Sequence, residues 1–354
     1  MKRILYISNI EVPYRVRFFN ELAKYCDLTV LYERKHSGSR DEQWASSEKQ
    51  NYRSIFLKGI NISHENAFTP GLFRYLFGKY DGIVVGCYNS PVQVMAILAL
   101  RFMKFPYYLN IDGESFLEGK GLKISLKRFI VKGARTYFTA GEKSALSLKK
   151  AIGQVSTIPY YFSSLSEDEL QSHKTTVWSS VCKNTVLIVG QYLDVKGLDV
   201  ALQVARENQQ WHFQFVGMGK RTAQFVDKYH PEQLKNVEII PFLQKKDLEE
   251  AYRNCTVLVL PSRKECWGLV VNEAASFGVP IVSTWGSGAA VEFLSDDYPQ
   301  LLAKPGDPES LRSCIDTLFT STNREQFAAF LRQKSQQYSI EKSVQAHLAA
   351  FDKR

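Results

Sequence analysis

The chain has 354 residues, 45% of them apolar and 23% charged, with a formal net charge of +9 and a pI near 9.1. That length suits about two domains of ~150 residues each, with enough chain for sizeable cores. The composition is that of an ordinary globular protein, and no short repeat or low-complexity tract is present.

The N-terminus, Met1 to Ile7, enters a strand at once and lacks the long apolar region of a signal peptide. Apolar runs predict strands over 4–7, 28–32, 82–85, 107–111, 136–140 and 155–158, alternating with helical segments such as 16–25. The most apolar segment, 92–105, is interrupted by Arg101 and Lys104 and is too short to span a bilayer. A polar stretch rich in Ser and acidic residues over 163–184 reads as a linker. Strands then resume over 185–189, 212–216, 237–240, 256–260, 280–283 and 301–303. Strands alternating with helices predict an α/β fold of two doubly wound, Rossmann-like parallel sheets, over 1–165 and 166–335, with a last helix in 336–354. Six cysteines, at 26, 87, 182, 255, 266 and 314, show no metal-binding spacing and read as free thiols in a reducing cytosol.

The loop after the first strand runs from Ser8 through Pro13, Tyr14 and Arg15. It lacks the Gly-x-Gly-x-x-Gly that a dinucleotide pyrophosphate needs, which argues against a nicotinamide enzyme.

The stretch from Pro261 to Glu273 is the most informative in the chain. A buried strand ends at Pro261-Ser262, a turn carries Glu265, Cys266 and Trp267, and a helix opens at Gly268 and Leu269 and stops at Gly278-Val279-Pro280. Unpaired N–H groups at that helix start attract a diphosphate. Glu273, one to two turns on, could accept both hydroxyls of a ribose, whereas the plain alternative is a pair of solvated carboxylates.

These residues resemble the retaining glycosyltransferases of family 4, which have a GT-B fold and the pattern Pro-Ser-x-x-Glu-x-x-Gly-Leu-x-x-x-Glu-Ala. Pro261, Ser262, Glu265, Gly268, Leu269, Glu273 and Ala274 stand in that register. A second element agrees with it, from Gly190 and Gln191 to Lys196-Gly197-Leu198-Asp199. In the family, an Arg after the Gly and the Lys of Lys-Gly neutralise the nucleotide diphosphate; here Lys196 is kept and Gln191 replaces the Arg, leaving a neutral donor. The resemblance places Gly217 under the nucleotide and Pro241-Phe242 against the base. It further implies that Glu265 holds donor-sugar hydroxyls, that the two domains face a shared cleft, and that the last helix returns to brace the first domain. Cys266 and Trp267 replace the family's common Gly and Phe and are expected to reshape the sugar pocket.

On the first domain, the Pro-Tyr-Arg loop resembles that of bacterial members that build surface polysaccharides. Tyr14 and Arg15 are therefore acceptor-side candidates, with helix-start packing as the alternative. Asp112 stands where related enzymes often have a His; it either orients an acceptor hydroxyl or caps the turn at Gly113-Glu114. From Gly119 to Arg135, the cations Lys120, Lys123, Lys127, Arg128 and Lys132 interleave with Leu122, Leu126, Phe129 and Ile130 at helical spacing. That pattern suits either an anionic membrane surface or ordinary packing on the first sheet. The net charge favours a lipid pyrophosphate or membrane over nucleic acid, because no nucleic-acid motif accompanies it.

Taken together, the resemblance implies metal-independent transfer of a hexose-like unit from a nucleotide sugar, UDP-linked, to a glycan hydroxyl on a lipid-linked acceptor. No cofactor is expected, since no Asp-x-Asp occurs in the chain. The expected location is cytoplasmic, on the inner face of the plasma membrane. The alternatives are an inverting transferase or epimerase of the same fold, and a non-catalytic glycan- or lipid-binding subunit.

Overall fold

The computed structural model describes residues 1–34, 48–61, 67–112, 117, 119–174 and 184–352. Gly113, Glu114, Cys182 and part of the linker expected over 163–184 lie outside the described residues. The chain forms two compact units, Met1–Ser164 with Ile340–Arg354, and Leu165–Ser339.

The first unit begins with β1 (Arg3–Ile10), α1 (Pro13–Leu22), β2 (Asp27–Arg34) and β3 (Arg53–Phe56). A small antiparallel pair, β4 (Ile60–Asn61) and β5 (Ala67–Phe68), is followed by α2 (Leu72–Leu76), β6 (Gly82–Val85), α3 (Pro91–Phe102) and β7 (Tyr108–Ile111). It continues through α4 (Leu122–Val131), β8 (Thr136–Thr139), α5 (Glu142–Ile152) and β9 (Thr157–Pro159). The sheet is parallel throughout in the order β3-β2-β1-β6-β7-β8-β9. Ile4, Leu5 and Ile7 of β1 and Ile83, Val84 and Val85 of β6 are fully buried, as expected of central strands covered on both faces.

The second unit contains α6 (Glu167–Lys174), β10 (Thr185–Val189), α7 (Leu198–Glu207), β11 (His212–Val216), α8 (Thr222–Tyr229), β12 (Val237–Ile240) and α9 (Lys245–Asn254). Then come β13 (Val257–Leu260), α10 (Leu269–Phe277), β14 (Ile281–Thr284), α11 (Gly288–Leu294), β15 (Leu302–Ala303), α12 (Pro308–Thr320) and α13 (Arg324–Ser335). Its six strands are also parallel, in the order β12-β11-β10-β13-β14-β15. The last helix, α14 (Ile340–Asp352), belongs to the first unit and packs on α1. Its buried His347 stacks on Phe138 at 3.9 Å, and Nδ1 donates to the Ser343 carbonyl at 2.7 Å. Burial pushes that imidazole down to about 3, so it stays neutral at physiological pH.

The predicted strands all form, with ends shifted by a few residues, but β3 was not among them. Its four residues, Arg53-Ser54-Ile55-Phe56, lie at the sheet edge with only partial burial and show no long apolar run. Helix α1 starts before the expected residue 16, because Pro13 occupies its first turn, where a missing N–H is tolerated.

Candidate active site

In the second unit, the loops leaving the adjacent strands β10, β13 and β14 are laced together. A single helical turn at Asp194–Lys196 follows β10 and ends at Gly197, which has φ +66° and lies directly against the Pro261 carbonyl, where a Cβ would collide. The N–H groups of Arg263 and Lys264 both donate to the Val195 carbonyl, at 2.8 and 3.1 Å. On the other side the Glu265 N–H donates to the Gly286 carbonyl at 2.8 Å, and Gly288 N–H to the Glu265 carbonyl at 3.3 Å. Glu265 is thus held by backbone on both flanks.

The Arg263 guanidinium forks onto Asp199 with bonds of 2.7 and 2.6 Å and also reaches the Asp194 carbonyl at 2.8 Å. Burial alone would raise the Asp199 carboxyl, but Arg263 outweighs it and holds the carboxyl below its usual range. This clamp fixes the turn that carries Lys196. The Lys196 ammonium is hydrogen-bonded to Oε2 of Glu265, and both side chains keep some solvent access, 24% and 14%. A cation and a carboxylate therefore meet at one point of the loop cluster.

Beside them Gly268, at φ +101°, opens α10; a Cβ there would sit 2.9 Å from Leu260. The first N–H groups of the helix, at Leu269 and Val270, have no acceptor within the helix and carry the positive end of its dipole. Glu273 lies on the following turn, half-buried, and its Oε2 accepts the Tyr252 hydroxyl at 3.0 Å. Burial first, and then Glu273, push that phenol well above its usual value, so Tyr252 is a fixed donor. Gly190, Gly217 and Pro241 follow the ends of β10, β11 and β12, where Gly190 N–H bonds Val216, Gly217 N–H bonds Ile240 and Gly219 N–H bonds Pro241. Gln191 and Phe242 are half-buried next to them, and Cys266 is half-buried in the turn.

The first unit has its own cluster, at the carboxyl ends of β1, β6 and β7. A polar recess of about 80 Å³ is lined by Tyr6, Tyr14, Arg15, Cys87 and Asp112 among others. Buried Arg15 donates to Asp112 Oδ2 at 2.5 Å, and Tyr160 donates to Oδ1 at 2.5 Å. Burial and the Asp112 carboxylate push the Tyr160 phenol well above its usual value, so it keeps its proton. Asp112 is a carboxylate oriented by two donors, and its side chain is 24% exposed. Its partners among the described residues are Arg15 and Tyr160, the turn at Gly113-Glu114 lying outside them, and Tyr160 was not a sequence candidate.

Residues 179–337 match the family model of the glycosyl transferases group 1. Over 315 residues the chain is 23% identical to an uncharacterized glycosyltransferase of Methanocaldococcus jannaschii, covering 83% of this chain and 82% of that one. Over 299 residues it is 26% identical to the N,N'-diacetylbacillosaminyl-diphospho-undecaprenol alpha-1,3-N-acetylgalactosaminyltransferase of Campylobacter jejuni, with 74% of each covered. The fold aligns with Anabaena HepE solved in complex with UDP and glucose, at a TM-score of 0.69 and 15% identity over the whole of both chains. It also aligns with the Thermosynechococcus elongatus sucrose-phosphate synthase, at a TM-score of 0.72 and 15% identity over 99% of this chain and 98% of that one. The chain is a GT-B glycosyltransferase.

Two of the donor-side candidates in this glycosyltransferase face inward. The Trp267 indole is 2% exposed, donates to Asn272 Oδ1 at 2.8 Å and packs near Tyr338, so its side chain braces α10. Ser262 is fully buried; its carbonyl accepts from the Thr284 hydroxyl, and its own hydroxyl has no partner among the described residues. Both shape the turn from below. The sequence reading missed Arg263 and Asp199 as a clamp, because the two lie 64 positions apart and meet only in the fold. It also missed Trp285, half in solvent on the loop that supplies Gly286, since a lone aromatic beside a strand end carries no motif.

Proposed function

We propose that this glycosyltransferase moves a hexose-like unit from a UDP-sugar to a hydroxyl of a lipid-linked glycan, with retention of anomeric configuration, in bacterial polysaccharide biosynthesis. The observation that carries this reading is the Lys196–Glu265 pair at the N-terminus of α10, with Glu273 one turn further on. A bound donor would part the pair. Lys196 and the Leu269 and Val270 N–H groups then face the diphosphate, Glu265 the sugar hydroxyls, and Glu273, oriented by Tyr252, the ribose. Gln191 adds a neutral hydrogen bond to the phosphates, and the loops at Gly190, Gly217 and Pro241-Phe242 accommodate the nucleoside.

Transfer needs no enzyme nucleophile. The bond from the anomeric carbon to the diphosphate breaks and the bond to the acceptor oxygen forms on the same face. The acceptor proton passes to the leaving diphosphate, whose growing charge Lys196 and the helix N–H groups stabilise. Because these groups supply the positive charge, turnover is metal-independent. Asp112, held by Arg15 and Tyr160, orients the acceptor hydroxyl, with Tyr14 beside it. The HepE complexes with UDP and with UDP-glucose, and the diphospho-undecaprenol acceptor of the Campylobacter relative, support the donor and acceptor classes.

The test is donor binding and slow hydrolysis across UDP-, GDP-, ADP- and TDP-sugars. The anomeric proton of the released sugar is then read by NMR before mutarotation. One UDP-sugar bound and hydrolysed with retention is the expected result. An inverted product would remove the mechanism, and no binding to any donor would remove the enzyme reading in favour of a glycan-binding subunit.

A further inference from the structure

Helices α2, α3 and α4 are neighbours in the first unit and leave unusually large apolar side chains in solvent. Phe77 at the end of α2 is 72% exposed, Phe102 at the end of α3 90%, and Leu122, Leu126 and Phe129 of α4 88%, 57% and 57%. With Phe73 and Leu98 they make seven of the twelve exposed large apolar residues among the described residues. α4 fully buries only Val131, so its apolar stripe, for which packing on the sheet was one of two readings, mostly faces outward. Arg101 clips α3 to α4: it donates to the Phe129 carbonyl at 2.9 Å, and its guanidinium lies 4.7 Å over the Phe129 ring.

Charge on this face has one sign. Segments 72–79, 91–105 and 119–135 together carry ten Lys and Arg and no Asp or Glu. Arg101, Lys104 and Arg135 line a shallow recess of about 340 Å³ beside the apolar tips. Arg128 differs from the other cations of α4, because it turns inward to the Leu117 and Gly119 carbonyls at 2.9 and 3.2 Å and so braces the loop.

The geometry points to an anionic phospholipid bilayer as the partner of this α2–α3–α4 face. The apolar tips enter the headgroup layer while the cations, including those of the recess, meet lipid phosphates. A second copy of the same face would bring its cations against these and be repelled. No helix among the described residues is long and apolar enough to cross a membrane, so the contact is interfacial. The surface stands apart from the sugar-transfer reading, because it requires no donor and no turnover.

The experiment is co-sedimentation of the full chain with vesicles of phosphatidylglycerol and phosphatidylcholine, against phosphatidylcholine alone, over a salt series. Preferential binding to the anionic vesicles that weakens with salt is expected. Each exposed lysine should be worth about fivefold in partition, so Lys123→Gln with Lys132→Gln should lower it roughly 25-fold. The triple variant Phe102→Ser, Leu122→Ser, Leu126→Ser, which spares the Phe129 ring under Arg101, should lose at least tenfold with its melting temperature unchanged. Equal binding to neutral vesicles, or unchanged binding in both variants, would overturn the proposal. So would a chain that ignores vesicles and forms dimers that the triple variant dissolves.

Discussion

The clamp at Arg263 makes a prediction that separates positioning from ligand contact. Arg263→Lys keeps the charge and loses the planar fork that bonds both oxygens of Asp199 and the Asp194 carbonyl. Hydrogen bonds to charged groups contribute about 1.5–3 kcal/mol each when well shielded. Arg263 and Asp199 have side chains 31% and 26% exposed, so the lower end applies. A double-mutant cycle with Asp199→Asn should therefore give a coupling of about 1.5 kcal/mol in urea unfolding. If that energy serves to hold the Lys196 turn in place, UDP should bind about tenfold more weakly to Arg263→Lys by calorimetry, since ~1.4 kcal/mol is a factor of ten. A coupling below ~0.3 kcal/mol, within ordinary additivity error, would show that the fork is ornamental. A normal coupling with unchanged UDP affinity would show that the clamp supports the fold and not the site.

Glu273→Ala should weaken UDP binding by about tenfold or more, from loss of two charge-assisted hydrogen bonds to the ribose, while Glu265→Ala mainly lowers turnover; unchanged UDP affinity in the first variant removes the ribose assignment. Turnover should persist in excess chelator, and activity that vanishes there and returns with manganese would contradict a diphosphate neutralised by Lys196 and helix N–H groups alone. Stability should fall on acidification. His347 and His173 are held by burial at about 3 and about 4, against about 6.5 in the unfolded chain, so the unfolded state binds more protons throughout that interval. Each therefore contributes stability that is present above pH ~6.5 and is lost as pH falls, at about 1.4 kcal/mol per unit, down to its folded value. His347→Phe, which keeps a ring against Phe138, should flatten the acid slope of the first unit's unfolding followed by hydrogen exchange; an unchanged slope would refute the assignment.

Much of the architecture was legible because buried parallel strands read as unbroken apolar runs, as at Thr185–Val189 and Val257–Leu260. The turn at Glu265 and the helix it opens were legible for a different reason: Gly197 and Gly268 adopt left-handed backbone beside atoms that exclude a Cβ, so the glycines mark the loop geometry itself. What stayed hidden depends on side-chain direction and long-range pairing. Nothing in Trp267 as a letter tells whether its ring meets solvent or Asn272, and Tyr160 finds Asp112 only across the fold, 48 positions away. The apolar stripe of α4 left two readings open, because spacing alone does not say whether a core exists to receive it.

The return of α14 to the first unit means that residues 165–339 are an insertion within a discontinuous one. During synthesis the second unit has all of its strands and helices available before α14 emerges, whereas the first must wait with Phe18, Tyr108 and Phe138 uncovered until His347 and Phe351 arrive to cap them. The later-made half is therefore the one able to mature first, and the N-terminal half depends on the last helix for its final burial.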